Sequence, residues 1–209
     1  CCGVLSMFNM SPLELDALGE IFNISVGRAA ASLSELTREV VSMSVPLVHI
    51  LSPQKAVELL DPEHKLRITS VSQQFSGSFS GKALLMFPGS SSLEVVRLML
   101  GAEMPLEQLT EMEQDAMSEI GNIILNTCFS TIADMLGESF DCELPQFQIS
   151  STEQLLNANN ALAQVLFVQI QLALEQRNLE GYVAFVLGNA SLLNLHKAVT
   201  RFLHGADDV

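Results

Sequence analysis

The sequence predicts a layered α/β fold: a duplicated, pseudo-two-fold α+β unit whose largely antiparallel sheet packs against two long helices. Three observations predict it. The chain echoes itself at an offset of 99 residues, each half opens with a long helical pattern, and each half later carries two apolar strand-like runs near Gly turns. At 209 residues, 48% hydrophobic and 16% charged, the chain has the composition of a folded protein with a real core.

The repeat aligns Ser11–Ile50 with Thr110–Ile149 without a gap, and ten positions are identical: Glu14/Glu113, Asp16/Asp115, Ala17/Ala116, Glu20/Glu119, Ile21/Ile120, Asn23/Asn122, Ile24/Ile123, Glu39/Glu138, Pro46/Pro145 and Ile50/Ile149. With one residue of slip, the run opened by Gly81 is echoed by the run opened by Gly181. The expected organisation is a linker or cloning remnant over residues 1–9, then one domain over 10–209 built from repeats of about 10–109 and 110–209. Two copies predict a shared core and not a solenoid, which needs three or more.

Each half reads in the same order. The opening helix starts with a capping box, Ser11 to Glu14 and Thr110 to Glu113, in which the hydroxyl caps free N–H groups and the Glu reaches back. Pro12 suits the first helical position, where its missing N–H does no harm. The apolar stripe is read as Leu13, Ala17, Ile21, Ile24 and Met112, Ala116, Ile120, Ile123. An extended segment with a Pro follows, near Val40–Leu51 and Phe140–Ile149, then a short helix, Pro53–Leu60 and Thr152–Asn159. Strand pairs come next: Lys65–Phe79 with Lys82–Phe87, and Ala163–Glu175 with Tyr182–Leu187, with turns expected at Ser80-Gly81 and Glu180-Gly181. A closing helix ends each half.

Composition excludes several function classes. With 24 acidic and 10 basic residues, a formal charge of −14 disfavours nucleic acid and anionic lipid as partners. No apolar run approaches the ~20 residues of a membrane-spanning helix, and the start shows no basic signal-peptide region, so a cytoplasmic setting is expected. The four cysteines, Cys1, Cys2, Cys128 and Cys142, make no paired C-x-x-C, and Cys128 falls on an apolar helix face, where a small core residue is expected. His49, His64, His196 and His204 match no metal-ligand spacing and read as scattered structural or surface residues, so no metal or cofactor is expected on this chain.

The opening helices carry the candidate chemistry. Asp16, Glu20 and Asn23, and again Asp115, Glu119 and Asn122, sit at i, i+4 and i+7. At about 100° per residue each triplet spans roughly 60° of one face. The plain reading is a solvated polar face. Against it, the stripe recurs in register, and carboxylates at i, i+4 repel mildly. A carboxamide can hold a water through its oxygen and donate from its nitrogen, as Gln does in phosphoryl hydrolysis, while a neighbouring Glu can pair with a partner's Lys. Such a set needs a partner that supplies the phosphoryl group and the metal.

The pattern Asp-x-x-x-Glu-x-x-Asn, followed after twenty-two residues by Pro, occurs as Asp16–Asn23 with Pro46 and as Asp115–Asn122 with Pro145. It resembles the signature of the CheC/CheX/FliY phosphatases of bacterial chemotaxis. The resemblance covers essentially the whole chain and, with a site in each half, is most like the CheC branch. It implies hydrolysis of the aspartyl phosphate of a CheY-like response regulator. By that resemblance Asn23 and Asn122 position the attacking water, Glu20 and Glu119 anchor the regulator, Asp16 and Asp115 support them, and Pro46 and Pro145 are structural. Mg²⁺ would sit on the regulator, and a CheD-like protein is a further expected partner.

One position departs from the family pattern. A Gly commonly precedes the Asn, as Gly121 does, but Phe22 stands before Asn23. Its ring either crowds a docking regulator or packs inward, and the second site is expected to be the more active. The alternative function is a catalytically silent module that docks a receiver domain, a CheD-type deamidase or a flagellar switch component.

Overall fold

In the computed structural model the structure describes residues 10–38, 40–63, 65–89, 91–100, 106–158, 160, 163–174 and 177–205. The expected linker over 1–9, with Cys1 and Cys2, and His64 lie outside them. Among the described residues the order is α1 (Pro12–Thr37), β1 (Val41–Leu51), α2 (Pro53–Leu60), β2 (Arg67–Gly77), β3 (Gly81–Pro88), α3 (Ser91–Leu100), α4 (Leu106–Leu136), β4 (Phe140–Cys142), β5 (Gln146–Ser151), α5 (Thr152–Leu155), β6 (Ala163–Leu174), β7 (Arg177–Gly188) and α6 (Asn189–His204).

The α1 capping box forms as expected: Ser11 Oγ accepts from the Glu14 N–H at 3.3 Å, and Glu14 Oε2 accepts from the Ser11 N–H at 2.8 Å. The second expected box does not form. α4 begins at Leu106, so Thr110 already lies in helix and cannot be an N-cap. Glu113 turns inward and accepts from Ser92 Oγ at 2.7 Å and Thr69 Oγ1 at 3.2 Å. A buried carboxylate needs such donors, and α3 and β2 supply them. Glu14 uses its second oxygen in the same way, accepting from Thr200 Oγ1 and meeting His196 Nε2 at 2.9 Å, both on α6.

The apolar stripe of α1 is centred later than its spacing suggested. The inward face is Glu14, Ala17, Leu18, Ile21, Phe22, Ser25, Val26, Ala29, Ala30 and Leu33. Leu13 (58% exposed) and Met112 (41%) face out, because the neighbouring inward position is taken by Glu14 in the first turn of α1 and by Glu113 within α4. Full burial of a Phe or Leu is worth roughly 1.5–3 kcal/mol, so Leu18, Ile21 and Phe22, all at 1% exposure or less, anchor α1.

The sheet has seven strands in the order β1-β6-β7-β3-β2-β4, with β5 also on β2, and every pairing is antiparallel. Each opening strand pairs outside its own half: β1 lies against β6, and β4 and β5 lie against β2. Side chains alternate across the sheet. Ala83, Leu85 and Phe87 join the core under α1, α3, α4 and α6, whereas Leu84 and Met86 join a second core under α2 and α5. Three layers result, which explains why the central strand β3 is one unbroken apolar run.

Two further expectations need correction. The second hairpin does not turn at Glu180-Gly181: Leu174 pairs with Arg177, and Gly181 sits inside β7 opposite Ile170. A Cβ at Gly181 would lie 2.6 Å from the Phe87 ring, so this Gly makes room for an aromatic neighbour and not for a turn. The helix expected over Thr152–Asn159 is the short α5, and Asn159 lies outside the described residues.

Candidate functional site

α1 and α4 pack side by side, joined by Arg28 Nη1, which donates to Thr131 Oγ1 at 3.3 Å and lies 3.6 Å from Asp134. Because their inward faces are spent on the core, the stripe at 16, 20, 23 and at 115, 119, 122 faces out. Asp16, Glu20, Asn23, Asp115 and Glu119 are exposed and Asn122 is half-buried. Among the described residues no hydrogen bond or ion pair engages the carboxylates of Asp16, Glu20, Asp115 or Glu119.

The two Asn carboxamides are held, and both holdings lead to a Pro-containing bulge. In the first half, Ser44 pairs with Gln171 and Leu47 with Gln169, so Val45 and Pro46 together oppose Ile170 alone. That is a β-bulge on an edge strand, a place where Pro is tolerated because it has no N–H to give the ladder. The Val45 N–H donates instead to Asn23 Oδ1 at 3.1 Å. The spacing of Asn and Pro thus has a geometric cause.

In the second half, Cys142 pairs with Phe75 and Gln146 with Ser72, so Glu143, Leu144 and Pro145 oppose Gln73 and Gln74. One residue is again extra, and here it splits the expected Phe140–Ile149 strand into β4 and β5. The tie to the helix is indirect. Asn126 Nδ2 donates to Asn122 Oδ1 at 2.6 Å. Gln73 Nε2 donates to Asn126 Oδ1 at 3.2 Å and to the Glu143 carbonyl at 2.8 Å. Position 126 aligns with Gly27, which has no side chain to do this.

The Phe22 question is settled by packing. Phe22 is fully buried, with its ring centroid 5.5 Å from that of Phe185, and it does not crowd the outer face. Gly121 is there for the sheet: a Cβ would lie 2.5 Å from Val71 Cγ1 and 2.6 Å from its Cβ.

The other candidates are structural. Cys128 is fully buried and its thiol is pushed up to about 12 by burial, which removes it as a nucleophile. Among the described residues no group of three or more His, Cys, Asp or Glu could hold a metal ion, and no helix is long and apolar enough to cross a membrane. Gln73 and Asn126 were missed from the sequence. The Asn pair at i, i+4 was the one legible signal, since such amides bond along a helix.

The fold and site define a class: an α/β protein with two outward helix faces, each offering unengaged carboxylates beside an Asn tied to a bulged edge strand. The model of the chemotaxis phosphatase CheX matches residues 69–169, and that of the CheC-like family matches residues 13–50. Between them they cover both triplets. The CheY-P phosphatase CheC of Bacillus subtilis is 25% identical over 135 residues, which are 63% of this chain and 64% of CheC, a little under two thirds of its length. The crystal structure of Thermotoga maritima FliY superposes with a TM-score of 0.74 at 20% identity, over 93% of this chain and 100% of that one. A Borrelia burgdorferi structure of a CheX-CheY-BeF3-Mg²⁺ complex matches with a TM-score of 0.52 at 18% identity, over 83% of this chain and 99% of that one. Both family models and these relatives are CheC, CheX and FliY proteins, and this chain resembles them in sequence and in fold.

Proposed function

We propose that this protein hydrolyses the aspartyl phosphate of a CheY-like receiver domain, using one site on α1 and one on α4. The carrying observation is the pairing, on each helix, of a Glu without an intramolecular partner and an Asn whose carboxamide is already oriented. The name of the Bacillus relative and the partner in the Borrelia complex support the same reading.

Glu20 and Glu119 offer exposed carboxylates to a partner's ammonium group and so fix the docked receiver. Asn23 and Asn122 each spend one lone pair of Oδ1 inward. The second lone pair is left to accept a water hydrogen, which turns the water's own lone pair toward phosphorus. Little covalent work is asked of the protein; positioning carries the rate. Asp16 and Asp115 add negative potential beside the anchoring Glu, attracting the same cation. Mg²⁺ belongs to the receiver in this scheme and neutralises the phosphoryl oxygens there.

The test is the decay of a phosphorylated, Mg²⁺-loaded receiver with and without this protein, beside the Asn23→Ala, Asn122→Ala double variant. Acceleration by the wild type that vanishes in the variant is expected. Binding of the receiver without acceleration would refute hydrolysis and leave the silent docking module, to receiver or CheD-like partner, as the function.

A further inference from the structure

We propose that Asn126 is a positioning residue for Asn122, itself held by Gln73, so that the second site depends on a side-chain relay that the first site lacks. The inference rests on the phosphatase reading and deepens it. An exposed Asn pair one helical turn apart would by itself be a surface detail. Gln73 makes it more than that. Gln73 is 4% exposed, at the end of the buried run 68–73 on β2, and its Oε1 is buried without a partner among the described residues. Keeping such a group in a core is costly, and an unsatisfied buried amide calls for an explanation. Both hydrogen bonds donated by its Nε2 run to the site: one to Asn126 Oδ1 and one to the Glu143 carbonyl in the bulge.

The first half reaches the same end by a shorter route. There the bulge amide of Val45 donates straight to Asn23 Oδ1, and the position equivalent to Asn126 is Gly27. In both halves the acceptor oxygen of the Asn is therefore tied to the Pro bulge, directly in one and through Asn126 and Gln73 in the other. A relay of two amides holds by side-chain bonds alone, so a single substitution releases it.

The experiment uses the full chain with Asn23→Ala as the parent, so that only the second site remains. Asn126→Ala removes the donor to Asn122. Asn126→Asp also removes it but keeps an acceptor for Gln73, which separates positioning from support of the fold. Since Asn126 is exposed, neither variant opens a cavity in the core, and only Asn126→Ala takes an acceptor from Gln73. A misplaced catalytic group can cost on the order of 100-fold, and a loosened one is expected to cost about tenfold in kcat with KM held. Unchanged kcat in either variant would overturn the proposal, and so would a rise in KM at constant kcat. The ¹⁵N relaxation of the Asn122 side-chain amide, read on the protein alone, is independent of any partner. Its order should fall in both variants, and unchanged order would overturn the relay. A parent that fails to accelerate decay counts against the phosphatase reading, and the relaxation arm still decides the relay.

Discussion

Gly121→Ala tests why a Gly precedes the second Asn. The new methyl would lie 2.5, 2.6 and 2.9 Å from Val71 Cγ1, Cβ and Cγ2, at least 0.5 Å inside ordinary contact. Val71 is fully buried, paired with Leu85 and Phe147, and β-branched, so its χ1 is stiff and it cannot swing away. Helix α4 must lift from the sheet instead. Three contacts this short put the overpacking cost at the upper end of its usual range, about 2–3 kcal/mol, and Ala returns about 1 kcal/mol of helix propensity over Gly. The net expectation is a loss of about 1–2 kcal/mol, or roughly 2–8 °C in Tm for a chain of this size. Urea unfolding at fixed pH reads it. Val71→Ala alone should cost about 2 kcal/mol through lost methyl burial and a cavity. In the double variant the two Cγ contacts are gone and only the Cβ retained at position 71, 2.6 Å away, still opposes the new methyl, so the pair should be less destabilised than the sum by about 0.5 kcal/mol or more. Additive costs, or a neutral Gly121→Ala, would refute the packing explanation.

Three other outcomes are expected. With Phe22 packed inward, its ring gives the first site no handicap, so in steady-state assays Asn23→Ala and Asn122→Ala should lower phosphatase activity by similar factors; a loss confined to Asn122→Ala would refute this. Desolvation pushes the Glu14 carboxyl up, but the Ser11 amide and hydroxyl, Thr200 and His196 outweigh it and hold its pKa below the ordinary glutamate value. A depressed folded-state pKa stabilises above the unfolded value and is lost as pH falls through the folded one. Urea titrations from pH 7 to 3 should therefore show a shallower acid limb in Glu14→Gln than in the wild type, and parallel limbs would count against it. Peptide mapping after alkylation of the native protein at pH 8 should find Cys142 modified and Cys128 intact until denaturant is added, since Cys142 is exposed and Cys128 buried. Native labelling of Cys128 would show that the α4 core opens.

Legibility followed the range of the cause. Asp16, Glu20 and Asn23 share a face because helix geometry is local, and so the stripe was readable before any fold was known. Thr110 was misread because a capping box and an interior Thr-x-x-Glu look alike; only Ser92 and Thr69, distant in sequence, show where Glu113 points. Gly181 was misread because a Gly that yields to a ring and a Gly that turns share one letter, and the ring belongs to Phe87 on another strand. Gln73 gave no usable sign, since a polar residue in a strand is ordinarily a solvent-facing one.

By itself the sequence determined the echo between residues 11–50 and 110–149, the helix-and-strand order and the two Asp-Glu-Asn faces, all legible from periodicity and spacing along the chain. Tertiary structure alone decided that each opening strand pairs with the other half, that Phe22 turns inward, and that the two Asn carboxamides are tied to their bulges by different means. Those outcomes depend on which side chains meet, and contact between residues from 22 positions apart (Asn23 and Val45) to 163 apart (Phe22 and Phe185) is set by the packing of the whole core.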